Sequence, residues 1–570
     1  MKRNALGLGC LLAAAFYLLA SSVAGAEAHD AQRYVVVYRT GEGASSSRHL
    51  NVVAETSRVE RSYGFRSRHR YSHALKGFSA SLTGRQVARL RRDRNIALVA
   101  RDRVLHAGGR VPLAPGETVP VPTGIARIDA ATPAGVHQAS TTAVAIIDTG
   151  VDLTNPAELN VDPGPNCVGT GPPADTNGHG TFVAGVVGAR NTGVGIVGVA
   201  PGTKLYAVKS LNSQGEGLES QVICGIDWVT ANASGLGIRV ANLSLGGPDS
   251  RSRCDTDPLH LAICNSSAAG VTYAVAAGND GADFGARPEV PASFPEVLTV
   301  TAASDSDGRP GGAGGPPTCR SGEIDDAWAS FSDFAVSEAD AAHVVAAPGI
   351  CIRSTVPGGQ ATDSGTSAAS PHVAGVIALC MGEGGVPGPC SGMSSAEVIQ
   401  QIRADAAANA TPGNGFLGDP NHPLGPYFGF MVSALDPSIR RLPLPPAPEP
   451  PPQPVTDSRV DLRSVRVRKV QDVDHLRVDV TLGEAGTVTV SVTVQIPSTR
   501  AAARVRFKSV SREAAANRPV VLRPRASRRS LRLVKRQLRR SRRLRASIVV
   551  VARDRAANSL STRRSVRLRR

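Results

Sequence analysis

The chain has 570 residues, 41% hydrophobic and 19% charged, with a formal net charge of +17. That length admits several domains and that hydrophobic share is ordinary for a globular protein, while no stretch beyond the N-terminus is apolar for long enough to span a membrane. The charge is divided by region: residues 27–107 carry 16 basic and 7 acidic groups, residues 108–456 carry 15 and 32, and residues 457–570 carry 31 and 8, which suggests three units.

In chain order, MKRNALGLGCLLAAAFYLLASSVAGA joins Lys2 and Arg3 to an apolar run that Ser21 and Ser22 cut short, and ends on Ala24-Gly25-Ala26. This is the pattern of a signal peptide over 1–26, not of a retained anchor, and it predicts a secreted, extracellular protein. From Arg33 to Ala107 the pattern predicts a small α/β unit. It reads as a strand in RYVVVYR, a helix in SRHLNVVAETSRVERSYG, a strand pair in YSHALKGFSASL, a second helix, and a strand in IALVARDRV. Thr83 and Gln86 have capping-box spacing at the start of the second helix. Residues 108–120, with Gly and Pro, read as a linker.

Between 121 and 436 the short apolar runs TAVAIID, KLYAVKSL, IRVANLSLG, GVTYAVAAG and VLTVTAAS alternate with longer segments. Strands buried on both faces imply a parallel sheet with helical crossovers, so the expected fold class is α/β, a mostly parallel sheet with helices on both faces. The expected helices lie in GHGTFVAGVVGAR, GLESQVICGIDWVTANAS, PLHLAICNSSAA and the segment after Ser367. Eight cysteines fall between 167 and 390 with no C-x-x-C among them, which in an exported chain favours disulfides over zinc. Their connectivity stays open, with near neighbours such as Cys254 and Cys264, or Cys380 and Cys390, within reach. Residues 437–456 form a Pro-rich linker. Residues 457–570 alternate apolar and basic residues, predicting an all-β sandwich-like domain whose Arg and Lys protect its edge strands.

Three segments carry the chemistry. DSGTSAASPHVAG crowds hydroxyls ahead of Pro371, and because proline is tolerated in the first turn of a helix, a helix is predicted to begin around 366–370. A hydroxyl there meets unpaired N–H groups and a partial positive charge, which suit a nucleophile beside developing negative charge. TAVAIIDTG ends a buried strand on Asp148, where packing alone would call for an apolar residue. NGHGTFVAG puts His179 at the start of a helix. The order Asp, His, Ser is that of one of the unrelated serine-hydrolase families.

The blocks AIIDTGVD, NGHGTFVAG, NLSLGG, AVAAGND and SGTSAASPHVAG, in this order, resemble those of subtilisin-like serine proteases, the subtilase family. The resemblance runs over roughly residues 33–400, since YSHALKGFSASL and the strands around it resemble the family's inhibitory propeptide. It implies a serine endopeptidase acting through an acyl-enzyme, with Ser367 as nucleophile, His179 as proton acceptor and donor, and Asp148 holding the imidazole. Asn279 and the Ser367 backbone N–H would hold the oxyanion, and Ser244, Leu245 and Gly246 would pair with an extended substrate. Asp280, next to Asn279, either favours a basic residue near the cleavage site or is a solvated turn residue. Phe182 and Ala368 depart from the residues common at their positions, and neither position carries chemistry.

No cofactor is required on this resemblance, and calcium is admitted as a structural ion without an Asp cluster to assign to it. The partners implied are polypeptide substrates and the chain's own propeptide, 33–107, removed somewhere between Val104 and Val119. The propeptide's positive charge complements the negative charge of the catalytic domain, 121–436. Residues 457–570 offer a basic surface to an anionic envelope or other polyanion. With Phe507 their only aromatic residue, no specific nucleic-acid recognition is expected. The competing readings are a catalytically silent binding protein on the same fold and an envelope-associated protein relying on the C-terminal domain. The joint presence of Asp148, His179, Asn279 and Ser367 favours the enzyme.

Overall fold

The computed structural model describes residues 31–40, 50–107, 121–132, 135–193, 196–411, 416–418, 426–434, 462–483, 485–496, 503–540, 544–554 and 559–569. The predicted signal peptide, the two predicted linkers and most of the segment expected to contain the maturation bond lie outside the described residues. The chain divides into two compact units, Met1–Pro448 and Glu449–Arg570.

Seven strands build the main sheet of the first unit. Their order is Val344–Pro348, Leu298–Ala303, Thr272–Ala276, Ile238–Leu243, Ala143–Asp148, Leu205–Lys209 and Val161–Asn166. Every adjacent pair is parallel. Five of the strands are the predicted apolar runs. The two edge strands were not predicted, and Val161–Asn166 explains why: it contains Pro163 and Gly164, turn residues that a sheet admits at its edge.

Successive side chains of a strand point to opposite faces, and Ala143–Asp148 follows this rule. Val144 and Ile146 join an apolar cluster with the helices His179–Gly188 and Thr366–Met381. Ala145 and Ile147 join another with the helices Glu219–Leu236 and Pro258–Ala268. Helices thus cover both faces. Four disulfides, Cys167–Cys224, Cys254–Cys264, Cys319–Cys351 and Cys380–Cys390, use all eight cysteines, including the two near-neighbour pairs.

The N-terminal part forms its own antiparallel sheet, in the order Ser67–Tyr71, Gly77–Leu82, Gln32–Tyr38, Ile96–Arg101. The first strand of the predicted pair lies earlier than expected, in the basic stretch SRHRY. The capping box of Thr83 and Gln86 is formed in both directions. Val36 and Phe78 face this part's own helices, whereas Val35, Val37, Tyr71 and Leu75 are buried in the second apolar cluster, the one formed on the main sheet. Its last strand, Val104–Ala107, leaves the small sheet and lies between Glu216–Leu218 and Leu245–Pro248, antiparallel to both.

The second unit carries a three-stranded sheet and a six-stranded sheet. Along Gly486–Ile496, Val488, Val490, Val492 and Val494 are buried with Ile548 and Val550 of the neighbouring strand. The all-β expectation needs one correction: Arg528–Arg540 is a helix. Val534 and Leu538, four residues apart and therefore on one face, are its buried residues, and basic side chains occupy much of the rest. Among the described residues no helix is long and apolar enough to cross a membrane.

Candidate active site

Asp148 is the last residue of its strand and is fully buried. His179 begins a helix directly after Gly178, whose φ of 111° suits glycine. The two elements touch at another glycine, since a Cβ on Gly180 would stand 2.0 Å from the carbonyl oxygen of Gly150. This close approach puts His179 Nδ1 2.8 and 3.0 Å from the two oxygens of Asp148. An ionised carboxylate can only accept, so Nδ1 carries the hydrogen and Nε2 the lone pair. Nε2 is buried and has no hydrogen-bond partner among the described residues. Burial opposes a charged ring, but the charge and hydrogen bond of Asp148, with Asp363 and Asp175 adding to them, raise the His179 pKa above its ordinary value.

Asp175, which the sequence reading passed over, organises this turn. One of its oxygens accepts from the Asn177 and Gly178 N–H groups and from Thr149 Oγ1, and the other accepts from the Thr181 N–H and hydroxyl. The Asp-x-Asn-Gly of residues 175–178, an Asx-turn composition, was the available signal.

Ser367 lies in the first turn of the helix Thr366–Met381, which starts where expected. Pro371, however, falls in the second turn, where it removes an intrahelical bond. Lacking an N–H, it leaves the carbonyl of Ser367, four residues earlier, without its helical donor. Ser244 Oγ fills that place at 2.8 Å. Asn242 Nδ2 donates to Ser244 Oγ at 2.8 Å, and Ser370 Oγ donates to Asn242 Oδ1 at 2.9 Å, so a buried polar chain runs from the end of a strand to the helix start. The helices bearing His179 and Ser367 pack against each other. The Ser367 hydroxyl closes no hydrogen bond onto Nε2.

Asn279 follows Gly278 near the start of the loop after the strand Thr272–Ala276. Its Oδ1 accepts from the Thr366 N–H at 2.9 Å and from Thr366 Oγ1 at 3.0 Å. With the oxygen so engaged, the Nδ2 donors are the end left for a ligand. Leu245 and Gly246 pair with Ala107 and His106 of the inserted strand. Ser244 does not pair there, its hydroxyl being turned inward to Ser367.

Residues 139–419 match the subtilase family Peptidase_S8, and residues 33–107 match the peptidase inhibitor I9 family. Subtilisin E of Bacillus subtilis (strain 168) is 33% identical over 375 residues, which cover 64% of this chain and 84% of that protein. The chain belongs to the subtilase family. Subtilisin of Bacillus pumilus is 39% identical over 267 residues, or 46% of this chain and 84% of its own. A cold-adapted subtilisin-like serine proteinase of known structure is 27% identical, covers 52% of this chain and 90% of its own, and gives a TM-score of 0.38. This subtilase is a serine endopeptidase made as a precursor with an I9 inhibitor domain.

Among the described residues of this subtilase, two side-chain clusters have the composition of metal sites. Cys254, His260, Cys264 and Glu296 lie together, but the disulfide consumes both thiols. Asp305, Asp307 and Asp325 bring oxygen ligands within 4.8 Å of one another, a donor set that suits a hard cation such as calcium. Burial, with Asp326 and Asp325 nearby and Arg127 opposing, pushes Asp305 up to about 8.

Proposed function

We propose that this subtilase hydrolyses peptide bonds with Ser367 as nucleophile, His179 as general base and then general acid, and Asp148 as the group that fixes the imidazole tautomer. The observation that carries this reading is the His179 ring itself: Nδ1 is bound to Asp148 and Nε2 has no partner among the described residues, on a helix that packs against the one holding Ser367. A base so arranged takes the serine proton as oxygen attacks the carbonyl carbon, and returns it to the leaving amine. The oxyanion that forms meets Asn279 Nδ2 and the backbone N–H of Ser367, a first-turn group with no intrahelical partner.

The same reading assigns 1–26 to export, 33–107 to an inhibitory propeptide cleaved by the enzyme itself, 121–436 to the catalytic domain, 437–456 to a linker and 457–570 to a basic accessory domain. Insertion of Val104–Ala107 between two strand edges supports the propeptide's role, since a substrate held in that place would add a strand in the same way. The high content of Arg in 457–570 supports contact with an anionic envelope, and retention of this domain on isolated cell walls tests it.

The test of the enzyme is reaction of the secreted, matured protein with a fluorophosphonate, followed by intact mass and peptide mapping. Label on Ser367, absent in Ser367→Ala, is expected. A folded, matured chain that takes no label would leave a binding protein on a protease fold.

A further inference from the structure

The acid Glu289 has no place in the catalytic reading. It pairs in sequence register with Pro248, and the next residue, Val290, pairs with Gly247 on the strand that receives substrate. Val290 is buried in the apolar cluster that also holds Leu105 and Leu245, so the alternation of a strand turns Glu289 to the opposite side. There its side chain lies between two glycines, and the Asp333 carboxylate shares the Gly278 side, 2.1 Å from where a Cβ would stand. A Cβ on Gly246 would stand 2.7 Å from Oε1, and a Cβ on Gly278 would stand 3.3 Å from Cγ. Gly246 is on the substrate edge, and Gly278 immediately precedes Asn279.

A substrate strand laid in the register of His106 and Ala107 carries its next residue past Leu245 towards Ser244, whose hydroxyl is bonded to Ser367. The side chain of that residue, the one whose carbonyl is attacked, enters the gap between Gly246 and Gly278. What it meets is acidic. No hydrogen-bond donor or cation pairs with the Glu289 carboxylate among the described residues, and Asp280 stands exposed beside Asn279. Asp333 is buried close by, its Oδ1 accepting from the Asp280 and Ala282 N–H groups and so fixing that loop. Burial, then Asp333 and Asp280, push Glu289 up to about 7. Arg287 is exposed and acts on Asp333. An apolar side chain entering this gap would bury an unpaired carboxylate, whereas a guanidinium or ammonium would neutralise it.

We infer that Glu289 makes this protease select a basic residue, arginine or lysine, on the amino side of the bond it cleaves. This rests on the catalytic reading above. It predicts more than the exposed Asp280 could alone, because the partner charge is half-buried and screened less by salt.

The test uses the matured protein and three fluorogenic peptides that differ only in that residue: arginine, lysine or leucine. The expected kcat/KM for the arginine peptide exceeds that for the leucine peptide by roughly 10²-fold, the scale on which losing one partner of a buried charge pair is felt. The ratio should rise as pH increases through about 7, with ionisation of Glu289, and should fall about tenfold or more in Glu289→Gln. Leucine preferred over arginine, or an arginine-to-leucine ratio indifferent to Glu289→Gln, overturns the inference while leaving a working protease. If Glu289→Gln does not fold, the wild-type ratio and its pH dependence decide. A matured chain that cleaves none of the peptides and takes no fluorophosphonate overturns the catalytic reading, and this inference with it.

Discussion

Ser244 donates its hydroxyl hydrogen to the carbonyl oxygen of Ser367 across 2.8 Å, and the bond is needed because Pro371 cannot supply one. The strand edge proposed to receive substrate and the helix turn that carries Ser367, the proposed nucleophile, are therefore joined by one buried contact. Ser244→Ala should cost about 1–3 kcal/mol, since it leaves a buried carbonyl unsatisfied, and should lower kcat by displacing Ser367. Pro371→Ala returns an N–H to that carbonyl. A double-mutant cycle by calorimetry is then expected to show a smaller penalty for Ser244→Ala in the Pro371→Ala background. Strict additivity would refute the coupling.

Asp148→Asn keeps the size of the side chain but can present an N–H to Nδ1, which favours the wrong tautomer. The expected loss in kcat is about 10⁴, with the melting temperature little changed and KM nearly constant. Steady-state kinetics on one peptide measures it.

For Asn279→Ala the loss falls on the transition state. It should reach roughly 10² to 10³ in kcat, the usual cost of removing one oxyanion donor. Loss in KM instead would place Asn279 in ground-state binding.

The pH profile follows from His179. As the proposed base, His179 works only when neutral, so activity is present above its pKa and lost as pH falls through it. Because Asp148, Asp363 and Asp175 raise that pKa against the opposing effect of burial, the acid limb of kcat/KM should lie above about 6.5, the unperturbed value. Asp363→Asn removes one of these charges and should move the limb to lower pH.

Arg103 ties the propeptide to Glu219, Asp249 and Asp257. Glu219 is buried, with one oxygen lacking a hydrogen-bond partner among the described residues. Arg103→Ala strands these acids, and loss of these partly buried pairs is expected to weaken propeptide binding by about tenfold or more. The lag between chain cleavage and the onset of peptidase activity should shorten accordingly.

The sequence was most legible where one element carries its own reason. Asp148 at the end of an apolar run, His179 among glycines, and the buried strands all announce themselves locally. Three kinds of feature did not. Pro163 and Gly164 disguise an edge strand as a turn, because an edge tolerates a missing donor. In Arg528–Arg540 the apolar residues Leu531, Val534 and Leu538 have helical spacing, but the dense arginines between them hide it. Asp363, Asp333 and Glu289 act through neighbours that only the fold brings close, so no short stretch of sequence distinguishes them from ordinary surface acids.

The strand Val104–Ala107 is held along both edges by main-chain pairing, which is blind to the identity of most side chains. Inhibition and cleavage preference are consequently written in different alphabets: one in backbone, the other in a few pocket residues such as Glu289. Lineages of this enzyme can then drift towards new targets by exchanging pocket residues, without a matching change in the segment that guides and restrains the newborn protease.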